Sequence, residues 1–203
     1  MEQPHYLRAV TTGTTERGTM RSDAARRRQA IVREARRLFA AEGSDVALET
    51  IAEAAGVGIA TLYRNFDSRT ALADEVALSI LDDMQHAADQ ALGTIATSPE
   101  TAWAEYVHRL VGLDLGALAA ALAEFVADEI SGAVRDSQIR TLDGVERLLA
   151  AARAEGLVRS DLGALELVLA IGMITRPQPE VIRAATPNLV PQLVSIFLAG
   201  MRP

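Results

Sequence analysis

Residues 51–72 read IAEAAGVGIATLYRNFDSRTAL. With Leu48 in front of them, Ile51, Ala52 and Ala55 fall at i, i+3, i+4 and i+7, which is one face of a short helix. Gly56 then ends that helix, because glycine enters the left-handed backbone at a helix C-terminus without a Cβ clash. After the turn Gly56-Val57-Gly58 comes Ile59 to Phe66, in which the apolar residues Leu62 and Phe66 lie four apart. Two short helices joined by a glycine turn, each with one narrow apolar face, form a helix-turn-helix. Such helices are too short to be stable alone and need longer helices to pack on.

The flanks supply them. Ser22 can cap a first helix in which Ile31, Ala35, Leu38 and Phe39 recur at helical spacing up to Gly43, with its arginines on the outer face. Ser68 opens a long helix through Leu72, Val76, Ile80 and Met84 toward Leu92. The chain therefore divides into a flexible Thr- and Gly-rich arm over residues 1–21, a head over 22–67 and a body over 68–203. The arm has no apolar core of the kind a signal peptide carries, and a cytoplasmic location is expected.

In the body, Ser98-Pro99-Glu100 starts a helix with proline in its first turn, and Trp103, Val107, Leu110 and Val111 form its stripe. Leu115 to Ile130 is helical by composition and spacing, and Leu142, Val145, Leu148, Leu149 and Ala152 mark another helix that ends at Gly156. Asp161 is expected to cap the next, whose Leu165, Val168, Leu169 and Ile171 surround it and predict cover on more than one side. A loop, Arg176-Pro177-Gln178-Pro179, leads to Ala184–Met201, 18 residues without a charge. Pro187, Asn188, Pro191 and Gln192 make this a poor membrane span and favour a helix packed on a partner subunit.

Composition agrees with an all-α protein. Of 203 residues 37 are alanine, hydrophobic residues make up 49% and aromatics 4%. There is no cysteine, which excludes disulfides, thiolate metal sites and a cysteine nucleophile. The net charge of −7 argues against nucleic acid until it is divided by position. Residues 1–67 hold 10 Arg against 9 acidic residues, while residues 68–203 hold 10 Arg against 18. Within Arg21–Ala40 seven arginines face only Asp23 and Glu34.

No catalytic pattern emerges. His5, His86 and His108 lie on separate segments, and no metalloprotease, nucleophile-elbow or phosphate-loop motif is present. Asp82-Asp83 and Asp128-Glu129 are adjacent, so on a helix their side chains diverge by about 100° and read as solvated faces. No cofactor or metal is expected.

A recognition helix presents short or polar side chains to base edges while basic and hydroxyl groups grip phosphate. Here Gly58, Ile59, Ala60, Thr61, Tyr63, Arg64 and Asn65 are the outward positions, with Leu62 and Phe66 turned in. Thr61 can reach phosphate or a thymine methyl, Arg64 guanine or phosphate, and Tyr63 and Asn65 are phosphate donors. Ser68 and Arg69 add a hydroxyl, a cation and helix N-terminal amides.

The run Ile51–Leu72 resembles the IAxxAGVSxxTLYxHFxSKxxL pattern of the TetR family of bacterial transcriptional repressors, a likeness covering about 50 residues. The resemblance implies an all-helical homodimer with a three-helix head that binds double-stranded DNA and a variable body that binds a small-molecule inducer. It assigns DNA contacts to Thr61 and Tyr63, to Asn65 where the family usually has His, and to Arg69 where it usually has Lys. Gly58 and Ala47 replace the usual Ser and Thr caps. The family's last two long helices form the dimer interface, here Asp161–Thr175 and Pro187–Gly200, with Leu165, Leu169, Leu189, Leu193, Ile196 and Phe197 as its apolar residues. The inducer is expected between the long fourth helix and the helices carrying Trp103, Leu110, Phe125 and Leu148, with Trp103, Tyr106, His108 and Phe125 as candidate contacts in an apolar wall. The implied function is a repressor on a palindromic operator, released by a small apolar ligand. Two alternatives stand beside it: a DNA-binding regulator without a ligand, and a helical enzyme or interaction protein that keeps a vestigial head.

Overall fold

The computed structural model describes the backbone of residues 13–126 and 131–203 and the side chains of residues 23–122 and 131–203. Among the described residues there are ten helices and no strand: α1 Gly13–Glu42, α2 Leu48–Ala54, α3 Ile59–Asn65, α4 Arg69–Thr94, α5 Pro99–Val111, α6 Leu115–Val126, α7 Gly132–Ala154, α8 Ala164–Ile174, α9 Glu180–Ala185 and α10 Leu189–Gly200. The all-α expectation holds.

Helices α1, α2 and α3 close on one another through Ile31, Ala35, Leu38, Phe39, Ile51, Leu62 and Phe66, all buried. The stops are backbone devices, since Gly43 and Gly56 have φ of 88° and 67°, where a Cβ would be strained. Helix α4 leaves this cluster with Ser68 as its N-cap, the Oγ accepting from the Ala71 amide at 3.0 Å. It runs on into the body, where α5 and α7 pack along it and α8 packs on α5, α6 and α7.

Two glycines set how closely the body helices approach. A Cβ on Gly116 would stand 2.1 Å from the Gly172 carbonyl oxygen, so α6 and α8 meet backbone to backbone, and the Gly116 amide donates to Thr175 Oγ1 at 2.9 Å. A Cβ on Gly144 would meet the Gln85 amide at 2.7 Å, so α7 leaves room for that side chain of α4.

The sequence expectations are corrected at several places. Helix α1 already runs from Gly13, so residues 13–21 are helical and Ser22 is an interior position rather than a cap. No proline lies in Gly13–Ser22 to break the helix there. Asp161 does not cap α8; Gly163 holds the N-cap position, and Asp161 instead pairs with Arg159 at 2.8 Å, which holds its carboxyl below the usual range. The uncharged stretch 184–201 is not one helix: it holds the last two residues of α9 and the whole of α10, separated at Thr186–Asn188 by Pro187. Pro191 is tolerated because it sits in the first turn of α10, where its amide has no intrahelical partner to lose. No described helix is long and apolar enough to cross a membrane. Residues 127–130, placed in a helix by their spacing and including Asp128-Glu129, lie outside the described residues.

Candidate nucleic-acid interface

The outward face of α3 is built from its inward one. Leu62 and Phe66 are buried in the core that α3 shares with α1 and α2, which leaves Tyr63 48% exposed, Arg64, Ala60 and Gly58 exposed, and Ile59, Thr61 and Asn65 half-buried. The N-cap Gly58 offers no side-chain cap, and its carbonyl alone takes the Thr61 and Leu62 amides at 2.8 and 3.2 Å. Ala47 likewise caps α2 without a side-chain bond.

Arg64 Nη2 donates to Thr61 Oγ1 at 2.8 Å, which aligns a cation and a hydroxyl one turn apart on the exposed face. Asn65 departs from its expected role in part, because its Nδ2 donates to the Thr61 carbonyl at 2.8 Å and one of its two donor hydrogens is used inside the helix. Ser68 serves first as the α4 cap described above.

The two arginines flanking the motif are occupied differently from the sequence expectation. Arg69 folds back so that Nη2 donates to the carbonyls of Ser44 and Val46, and its guanidinium lies 5.8 Å from the centre of the Phe39 ring. It satisfies the carbonyls of the α1–α2 turn, so the cation expected to face phosphate serves as a brace of the head. Arg28, expected on the outer face of helix one, points inward: Nη1 donates to the Asn65 carbonyl at 2.8 Å, Nη2 pairs with Glu75 at 2.7 Å, and the guanidinium covers the Phe66 ring at 4.3 Å. Arg36 pairs with Asp83 of α4. Arg33 and Arg37 both reach Glu34, at 3.4 and 2.9 Å, and the hydrogen bond from Arg37 holds that carboxyl below the usual range. The basic stretch is thus partly neutralised within the fold.

Other chemistry is scattered. Asp83 faces Arg36 while Asp82 faces His86 at 3.4 Å, so the adjacent carboxylates diverge as helical geometry requires. Among the described residues no group of three or more His, Cys, Asp or Glu side chains could hold a metal.

In the body, Trp103 and Tyr106 are buried with ring centres 5.8 Å apart, and Trp103 Nε1, Tyr106 Oη and Gln85 Oε1 have no hydrogen-bond partner. Burial pushes the Tyr106 phenol well above its usual range. His108 does not join them; it is exposed, with Nδ1 against the Ala104 carbonyl at 2.6 Å. Its position on α5 is one turn from the stripe but on the solvent side. The Phe125 side chain lies outside the described residues. Tyr106 also lines an open groove of about 380 Å³ between α4 and α5, with Gln90, Glu105 and Arg109, so this wall is more polar than expected. Gln85 carries no sequence signal, because only the glycine across from it on α7 reveals that it is tucked inward.

Comparisons with known proteins agree with this architecture. Residues 31–76 match the profile described as bacterial regulatory proteins, tetR family, and residues 98–203 match the C-terminal domain described as transcriptional regulator SbtR-like. A TetR transcriptional regulator of Streptomyces coelicolor is 29% identical with a TM-score of 0.61, over 87% of this chain and 98% of that one. A TetR regulatory protein of Mycobacterium vanbaalenii is also 29% identical, with a TM-score of 0.60 over 91% and 99% of the two chains. No curated protein sequence matches the chain. The second profile alone spans more than half of the 203 residues, and with the first it covers both the head and the body: the chain belongs to the TetR family of bacterial transcriptional regulators.

Proposed function

We propose that this protein is a dimeric repressor that binds a palindromic operator and is released by a small molecule held in its body, acting in the cytoplasm. The observation that carries the DNA-binding part is the exposed face of α3, where Tyr63 and Arg64 stand clear of the core and Thr61 orients Arg64. Gly58, Ile59, Ala60 and Asn65 complete the surface that enters the major groove, and the Ser68 hydroxyl at the start of α4 meets phosphate.

Dimerisation is supported by the surface of α8 and α10. Leu165, Leu169, Met173 and Ile196 are between 51 and 78% exposed in the single chain, too much apolar side chain to leave in water on two neighbouring helices. Leu189 and Leu193 lie half-buried at the rim, while Phe197 turns toward the chain's own core. Pairing two copies through this face holds the acidic bodies together and presents two heads to successive major grooves, about 34–36 Å apart. The double substitution Leu165→Glu with Leu169→Glu is expected to yield a folded monomer by sedimentation, with operator affinity reduced by about 100-fold or more as the second half-site is lost. A dimer of unchanged stability would place the interface elsewhere.

The ligand part is supported by the unpartnered polar atoms of Trp103 and Tyr106 in the body, since buried donors without partners are rare unless something else satisfies them. A molecule that binds there shifts the population toward a head spacing unable to span both half-sites.

Selection of protein-bound fragments from bacterial genomic DNA tests the whole reading. The expected result is one palindromic site, bound with an affinity that falls by about 10³-fold or more between 50 and 300 mM salt as counterions are released. An affinity indifferent to salt over that range would overturn it.

A further inference from the structure

We infer that Arg28 is a positioning residue for DNA binding: without touching DNA, it fixes the recognition helix α3 to α1 and α4. The inference rests on the DNA-binding reading above.

Three elements meet at this one guanidinium. It is carried by α1, it donates to the Asn65 carbonyl at the C-terminal end of α3, and it pairs with Glu75 of α4, at 2.8 and 2.7 Å respectively. Its flat face lies over Phe66, the residue that ends α3, at 4.3 Å from the ring centre. The last carbonyls of a helix have no intrahelical donor, and in a helix of only 7 residues such groups are a large share of the backbone. Arg28 supplies a donor to one of them while its charge is compensated by Glu75. Planarity, the forked donors and the ring contact are all used together, a combination that a lysine ammonium cannot reproduce.

Sequence alone groups Arg28 with Arg26 and Arg27 as an outward-facing basic run. The geometry separates it from them, since Arg28 is half-buried while both neighbours are exposed. A cation already paired within the protein displaces no counterions from DNA. It therefore contributes to the placement of Tyr63 and Arg64 on base edges and not to the electrostatic part of binding.

The test uses the full-length protein, a duplex carrying the selected site and a scrambled duplex of the same length, with binding measured over a range of salt. The variants are Arg28→Ala, Arg28→Lys and Glu75→Ala. All three are expected to weaken binding to the selected site by about 10-fold or more. For the two Arg28 variants, binding to the scrambled duplex and the slope of log affinity against log salt should match the wild type. Glu75→Ala is the sharpest arm, because it removes a negative charge from the DNA-binding half and would tighten binding if charge alone mattered. Arg28→Lys keeps the cation, so a phosphate contact predicts near-normal affinity where a positioning role predicts loss.

A slope reduced by about one in Arg28→Ala, with equal losses on both duplexes, would put the guanidinium on a phosphate and overturn the inference. Equal losses with an unchanged slope would indicate a smaller folded fraction and overturn it as well. A wild-type protein that prefers no site over the scrambled duplex would remove the DNA-binding reading itself, and the inference with it.

Discussion

Replacing Tyr63 and Arg64 together by alanine is expected to lower affinity for the selected operator by about 30- to 10⁴-fold, from roughly 1–3 kcal/mol for each contact. Both side chains project from the face of α3 opposite Leu62 and Phe66, so their removal opens no cavity. The Thr61 hydroxyl that holds Arg64 at 2.8 Å remains in place, and the N-terminal end of the helix is untouched. Thermal stability should therefore stay within about 0.5 kcal/mol of the wild type, the usual limit for surface substitutions. Fluorescence anisotropy with labelled duplex measures the affinity and circular dichroism the melting. Binding within a factor of three of the wild type would show that another surface reads the DNA. A loss of affinity accompanied by a lower melting point would instead point to a broken head.

The second large effect belongs to the body. Gly116→Ala is expected to destabilise the fold by about 2–4 kcal/mol, toward the upper end of overpacking costs. The added Cβ would meet the Gly172 carbonyl oxygen at 2.1 Å and the Arg176 amide nitrogen at 2.6 Å, both backbone atoms that no rotamer change can clear. Helices α6 and α8 must then separate, and the amide of residue 116 loses its acceptor on Thr175. At about 2–4 °C per kcal/mol for a chain of this size, the melting temperature should fall by about 4–16 °C. The exposed leucines proposed for the dimer lie on α8, so the monomer fraction should rise along with it. An unchanged melting curve and an unchanged dimer would mean that the two helices do not touch at residue 116.

How far the sequence carries the fold depends on the distance over which each feature is decided. The helix-turn-helix is legible because its punctuation is local: Gly56 at φ 67° and the short stripes ending on Leu62 and Phe66 need no distant partner to be read. The exposed positions of α3 follow from the same four-residue spacing. The starts of α1 and α8 were not legible, since Ser22 and Asp161 have good capping chemistry but stand where the backbone gives them no cap to make. Charge was the least legible feature. Seven arginines in 20 residues look like a face for DNA, yet Arg28 and Arg36 find their carboxylates on a helix 47 residues further along the chain. Arg69 is lost from the DNA-facing set for a similar reason, because its acceptors are carbonyls of a turn more than 20 residues away.

The pairs Arg28–Glu75 and Arg36–Asp83 have a consequence for motion. Both join residues separated by the same interval of 47, and both partners advance by eight along their helices. Helices α1 and α4 are therefore toothed at matching pitch, like two racks engaged at two points. A slide of one along the other disengages both teeth at once, and the next helical turn, about 5.4 Å away, offers different side chains. A relative slide of the two helices therefore lengthens both pairs together, which ties the placement of the head to the course of α4.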